Sequence, residues 1–256
     1  MLKRIIIVCM ILFLSGCNVP QKAGMETIES QGEALFKKEE YKEVLRIYEN
    51  IPEKNLTENS LYYKAISEIK LDRFKDSIDT FTLLLERAPD YKDLQSIYYN
   101  MGYSYYSLDQ FQESLDYYHA YFSITQEESA LDYIVYHKMV DAYLSLEEYD
   151  TAIAVLEEME SKYHSKSLKQ GVLERLGNLN VFIHEYTKSI EYYQKYLKLD
   201  PDNVHIKIEY CKALIFNGNL DEAEKKLEAL LDIPLTNEEK ERVTGWLDEI
   251  HDERNK

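Results

Sequence analysis

The sequence predicts an all-α chain, and three observations carry that reading. Eight glycines and five prolines are few for 256 residues, which leaves long stretches free of hairpin-turn signals. One residue pattern recurs six times between residues 25 and 235. The last segment, from Thr236, opens with a capping pair and sets its apolar residues on one helical face. A hydrophobic content of 45%, with 12% aromatic, supplies a core. The 30 basic and 47 acidic side chains give a net charge of -17, which repels a phosphate backbone and anionic headgroups and excludes nucleic acid as a partner. Mixed-sign runs such as KKEEYKE and LDEAEKKLEA read as solvated helix faces.

The first element is a leader. Lys3 and Arg4 precede an apolar run from Ile5 to Leu14 and then small residues, the order of a secretory signal and too short to span a bilayer comfortably. Leu14-Ser15-Gly16-Cys17 resembles the lipobox of bacterial lipoproteins, in which the cysteine is acylated and becomes the mature N-terminus. That resemblance implies a leader over residues 1–16 and a lipidated Cys17 followed by a tether to residue 24. It also implies anchoring on the extracytoplasmic face of a bacterial cell membrane, or of the outer membrane where there are two. Two acyl chains suffice for stable attachment. The tether NVPQKAG reaches at most about 24 Å when extended. Asn18 differs from the aspartate that resembles an inner-membrane retention signal. Cys9 leaves with the leader and Cys17 carries lipid, so Cys211 is the one remaining thiol and no intrachain disulfide framework is available.

The repeats follow in order. Tyr41-x-x-Val44-x-x-x-Tyr48, Phe74-x-x-Ser77-x-x-x-Phe81 and Phe111-x-x-Ser114-x-x-x-Tyr118 are the first three copies. Tyr149-x-x-Ala152-x-x-x-Leu156, Tyr186-x-x-Ser189-x-x-x-Tyr193 and Leu220-x-x-Ala223-x-x-x-Leu227 complete the set. Nine residues before each copy stands Gly32, Ala65, Gly102, Val140, Gly177 or Cys211, spaced by 33, 37, 38, 37 and 34 residues. A small residue there lets two helix backbones approach while bulky neighbours fill the space around them. The pattern resembles the tetratricopeptide repeat, with Pro89 and Pro201 at the closing-proline position and Tyr98 and Tyr136 where that family has tryptophan. The resemblance implies a right-handed superhelical α-solenoid of about six helix-turn-helix repeats. In the final segment, residues 236–256, Thr236 and Glu239 form the capping pair and Val243, Trp246, Leu247 and Ile250 one apolar face, a terminal capping helix for the array.

Residues 97–122 hold eight tyrosines. Helical spacing sorts those of the first helix into Tyr98, Gly102 and Tyr105, and a second stripe of Tyr99, Tyr103 and Tyr106 rotated by about 100°. The family resemblance implies that the first stripe packs inside the repeat, so Tyr105 should be core, and that the second lines a concave groove for a protein or peptide. Tyr118 and Tyr121, on the second helix, should be core. Carried along the chain, the groove stripe comprises Tyr62, Ile66 and Ile69, then Tyr99, Tyr103 and Tyr106, then His137, Asp141 and Leu144. Glu174, Asn178 and Val181, then Ile208, Lys212 and Ile215, continue it. A lysine and asparagine carboxylate clamp, as in some tetratricopeptide proteins, is missing, because Tyr62, Ile66, Tyr99 and Tyr103 occupy those places.

No catalytic motif emerges. The six histidines are scattered, without a HExxH or paired-cysteine pattern, and His137 with Asp141 reads as a hydrogen-bonded pair rather than a metal site. Cys211 occupies a packing slot and reads as buried and inert. The expectation is a non-catalytic, cofactor-free scaffold in the cell envelope, bound to the membrane through lipid and to a protein or peptide through the groove. A pilotin-like assembly factor for a secretion or pilus system, and a cell-wall glycan binder using the groove tyrosines, are the rival readings.

Overall fold

The computed structural model describes the backbone of residues 19–125 and 129–255, with side chains from residue 28 onward. The leader and Cys17 lie outside the described residues. Helix α1 spans Val19–Lys37 and so begins inside the stretch assigned above to the tether. It is followed by α2 (Tyr41–Tyr48), a short 3-10 turn (Glu53–Asn55), α3 (Glu58–Lys70), α4 (Phe74–Arg87), α5 (Leu94–Ser107) and α6 (Phe111–Ile124). These form one compact unit, in which each helix packs on the next and α3 also touches α1 and α5. A second unit holds α7 (Ala130–Ser145), α8 (Tyr149–Lys162), α9 (Lys166–Phe182), α10 (Tyr186–Leu199), α11 (Val204–Phe216), α12 (Leu220–Leu231) and α13 (Asn237–Arg254). There too successive helices pair, and α11 also meets α9 and α13. The fold is all-α, with no strand among the described residues.

The six-fold pattern becomes six helical hairpins, each with a buried small and large residue sixteen apart, and at three of them the two are in direct contact. Tyr48, Tyr118 and Tyr193, fully buried, lie on Gly32, Gly102 and Gly177. A Cβ on Gly102 would stand 2.5 Å from Tyr118 Cε1, and one on Gly177 2.4 Å from Tyr193 Cε1. At the other three hairpins the large residue is smaller and the small one larger: Phe81 with Ala65, Leu156 with Val140, Leu227 with Cys211, every one buried. A larger residue on one helix is thus matched by a smaller one on the other, as close packing favours. Ser114 adds a polar fastening, donating to the Gly102 carbonyl at 2.8 Å.

Every hairpin turns through one left-handed residue: Glu39, Asp72, Asp109, Glu147, His184 or Gly218, with φ between 57° and 80°. The following residue donates back to the carbonyl five positions earlier, as in Glu40 to Leu35, Arg73 to Glu68 and Glu148 to Tyr143, so helix-end carbonyls are satisfied in Schellman fashion. Five of these six positions lack the glycine that would have announced them.

The terminal helix is built as expected. Thr236 and Glu239 form both bonds of the capping box. Val243 and Ile250 are fully buried, while Trp246 and Leu247 are half-buried. A second capping box, Ser129 with Asp132, starts α7.

Candidate functional site

The helix α5 buries Ile97, Met101, Gly102 and Ser104 against its neighbours. Its tyrosines do not divide by burial as the sequence suggested. Tyr98 and Tyr105 are half-buried rather than core, because they lie beside the half-exposed Tyr117, on which Tyr105 stacks at 5.3 Å and 11°. Tyr99, Tyr103 and Tyr106 are half-buried as well. Tyr103 sets its edge on Phe74 at 5.9 Å, Tyr106 sets its edge on Phe111 at 5.5 Å, and Tyr99 stacks over Tyr103 at 6.5 Å and 22°. Tyr118 and Tyr121 are fully buried, as expected of the second helix.

In the first unit α3 and α5 present their second stripes to a common pocket of about 400 Å³, lined by Ile66, Ile69, Lys70, Asp72, Tyr99, Asn100 and Tyr103. The lining is mixed, two isoleucines and two tyrosines beside one charge of each sign and one amide. Burial raises the pKa of Tyr99, so its hydroxyl remains a neutral donor and acceptor. Tyr62 is drawn aside. Its hydroxyl pairs with Ser96 Oγ at 2.7 Å and donates to Asp93 at 3.3 Å, and its ring stacks on Tyr91 at 5.7 Å. It positions the start of α5 rather than lining the pocket.

In the second unit Leu144 and Asn178 share a separate pocket of about 390 Å³ with Val140, Tyr149, Leu156, Arg175, Leu179 and Phe182. Asn178 accepts from Tyr193 at 2.6 Å. His137 and Asp141 face Arg175, which reaches His137 Nδ1 and Asp141 Oδ1 at 2.5 Å each. Burial, then the Arg175 charge, pushes the His137 imidazole down to about 4, with Asp141 opposing. The neutral ring accepts at Nδ1 and carries its proton on Nε2. The same bracket recurs where Arg242 of α13 reaches His205 at 3.2 Å and Glu209 at 2.5 Å. His137 and Asp141 are therefore an inter-repeat tie. No group of three His, Cys, Asp or Glu able to hold a metal occurs among the described residues.

Two side chains at the second pocket escaped the sequence reading. Phe182 is 63% exposed and meets Tyr149 edge-on at 5.3 Å. It sits one place past Val181 at the end of α9, outside the stripe spacing. Arg175 went unnoticed because its partners lie 38 and 34 residues away.

Sequence profiles described as tetratricopeptide repeat match residues 95–128 and 184–237. The chain carries tetratricopeptide repeats. Similar solved structures agree on this fold. The C-terminal part of a TPR repeat-containing protein from Cytophaga hutchinsonii is 15% identical with a TM-score of 0.62, over 80% of this chain and 78% of that one. MamA from Desulfovibrio magneticus RS-1, residues 41 to the end, is 16% identical with a TM-score of 0.52, over 70% and 96%. The apo form of RapI is 14% identical with a TM-score of 0.60, over 74% and 57%. No curated protein matches this tetratricopeptide-repeat sequence.

Proposed function

We propose that this tetratricopeptide-repeat protein is a non-catalytic scaffold, lipid-anchored through Cys17 on the extracytoplasmic face of a bacterial membrane, that captures an extended segment of another protein. The single observation behind the binding reading is the pocket between α3 and α5, where Ile66, Ile69, Tyr99 and Tyr103 meet. Half-buried tyrosines offer large contact area at low entropic cost, and aromatic anchors carry a disproportionate share of interface energy. The Tyr99 and Tyr103 rings stack on each other, which favours edge contacts with an apolar side chain over face stacking on a sugar. Support for the anchor comes from the leader and its LSGC ending.

The test for binding is in-cell crosslinking of wild type against the Tyr99→Ala, Tyr103→Ala double variant, with melting curves alongside. Partner yield should fall at least several-fold while the variant stays folded. A folded variant that captures partners normally sinks the assignment, and sedimentation with peptidoglycan that depends on these tyrosines would replace it with glycan binding. For the anchor, fatty-acid labelling should be lost in Cys17→Ala; retained label and membrane association would remove it.

A further inference from the structure

A third pocket, of about 270 Å³, opens in the second unit among the ends of α10, α11 and α12. It uses a different face of α11 from the stripe of Ile208, Lys212 and Ile215, because Lys207, Tyr210 and Cys211 are rotated from that stripe by about 100°. Leu197, Cys211, Leu230 and Ile233 form its walls, with Ala229 at the exposed rim. Cys211 is 1% and Leu230 4% exposed, whereas Ile233, just past the end of α12, is 39% exposed and leaves the apolar interior open on that side.

Two cations stand on this pocket in a chain of net charge -17. Lys226 lies over the Tyr210 ring at 5.3 Å and 3.5 Å from Glu222, whose carboxylate also accepts from the Tyr210 hydroxyl at 3.2 Å. One of the two cations is thus partly neutralised. Lys207 pairs with no carboxylate among the described residues and is half-buried beside the apolar wall. An apolar cavity beside an uncompensated ammonium matches a ligand that is apolar along its length and anionic at one end. Size narrows the class: about 270 Å³ is room for one short alkyl chain of roughly eight to ten carbons.

We propose that this pocket binds a medium-chain alkyl carboxylate, its chain against Leu197, Ala229, Leu230 and Ile233 and its carboxylate on Lys207. Nothing covalent is involved: burial pushes the Cys211 thiol up to about 12, so it is wall and not nucleophile. The site is independent of the α3/α5 pocket, which belongs to the other unit.

The experiment titrates the full chain with decanoate below its micelle concentration, by calorimetry and by methyl NMR. One decanoate should bind per chain and shift the methyls of Leu197, Leu230 and Ile233, with decyltrimethylammonium at least ten-fold weaker. Lys207→Glu should weaken decanoate at least ten-fold without moving the melting curve. Ala229→Trp, at an exposed rim position, should close the pocket and abolish binding. Should Lys207→Glu melt early, Lys207→Gln keeps most of the stem and must show the same loss. Equal binding of the cationic probe, unchanged affinity in the Lys207 variants, or shifts confined to other methyls overturns the proposal.

Discussion

Gly102→Ala is the sharpest test of how the hairpins close. The new Cβ would stand 2.5, 2.7 and 3.1 Å from Cε1, Cδ1 and Cζ of Tyr118, so the obstacle is the ring itself and not a movable tip. Tyr118 is fully buried and has no open side to retreat to. Overpacking of this kind costs typically about 1–3 kcal/mol, and the alanine returns about 1 kcal/mol of helix propensity. The net expectation is a loss of about 0–2 kcal/mol, centred near 1 kcal/mol, which is roughly 2–4 °C in Tm at that centre for a chain of this size. Gly245→Ala in α13 is the internal control, because nothing lies within 4 Å of its Cβ and only the propensity gain remains. Thermal melting by circular dichroism should therefore move the two variants in opposite directions. Adding Tyr118→Leu to Gly102→Ala imitates the Val140 and Leu156 pairing, and a double-mutant cycle should return a coupling of about 1 kcal/mol or more. If Gly102→Ala melts at or above wild type, as Gly245→Ala should, the ring-on-glycine contact does not hold the hairpin.

Other consequences can be measured on the same protein. Glu147 has φ of 61°, so Glu147→Gly should stabilise by about 0.5 kcal/mol, the relief of a left-handed side chain less the added freedom of the unfolded chain; a lower Tm would contradict the turn geometry. The His137 imidazole is depressed from 6.5 to about 4, so below pH 6.5 the unfolded chain binds more protons and stability should fall as pH drops from about 6.5 to 4. Urea midpoints across that window should flatten in His137→Gln, and an unchanged slope would contradict the buried neutral ring. Truncation after Thr236 removes Val243 and Ile250, each contributing about 1.5–3 kcal/mol of burial, so Tm should drop by several degrees and aggregation rise; an unchanged melting curve would remove the capping role.

What the sequence disclosed and what it hid have physical reasons. The hairpins were legible because each small residue and its bulky mate stand sixteen positions apart, as in Gly177 and Tyr193. The capping box at Thr236 and Glu239 is likewise a short-range signal. The turns were not legible, because Glu39, Asp72, Glu147 and His184 adopt left-handed backbone without the glycine that marks it. The division of tyrosines by spacing failed at Tyr105, whose burial depends on whether α6 offers a deep neighbour or the half-exposed Tyr117. His137 and Asp141 looked like groove residues because Arg175, which occupies both, is distant in sequence. Ile66, Ile69, Tyr99 and Tyr103 did converge, since stripe spacing is conserved between the neighbouring helices α3 and α5.

The lock between residues sixteen apart also bears on how the chain reaches its native state. A contact so near in sequence closes a short loop at little entropic cost, and chains rich in such contacts fold quickly. Any of the six hairpins can serve as the first nucleus, and the order of assembly is set by which closes most readily rather than by position from either terminus. The three glycine-tyrosine hairpins bury the largest rings. Substitutions at Gly32, Gly102 or Gly177 should therefore slow refolding, whereas changes at the exposed tip of a turn should act mainly on unfolding.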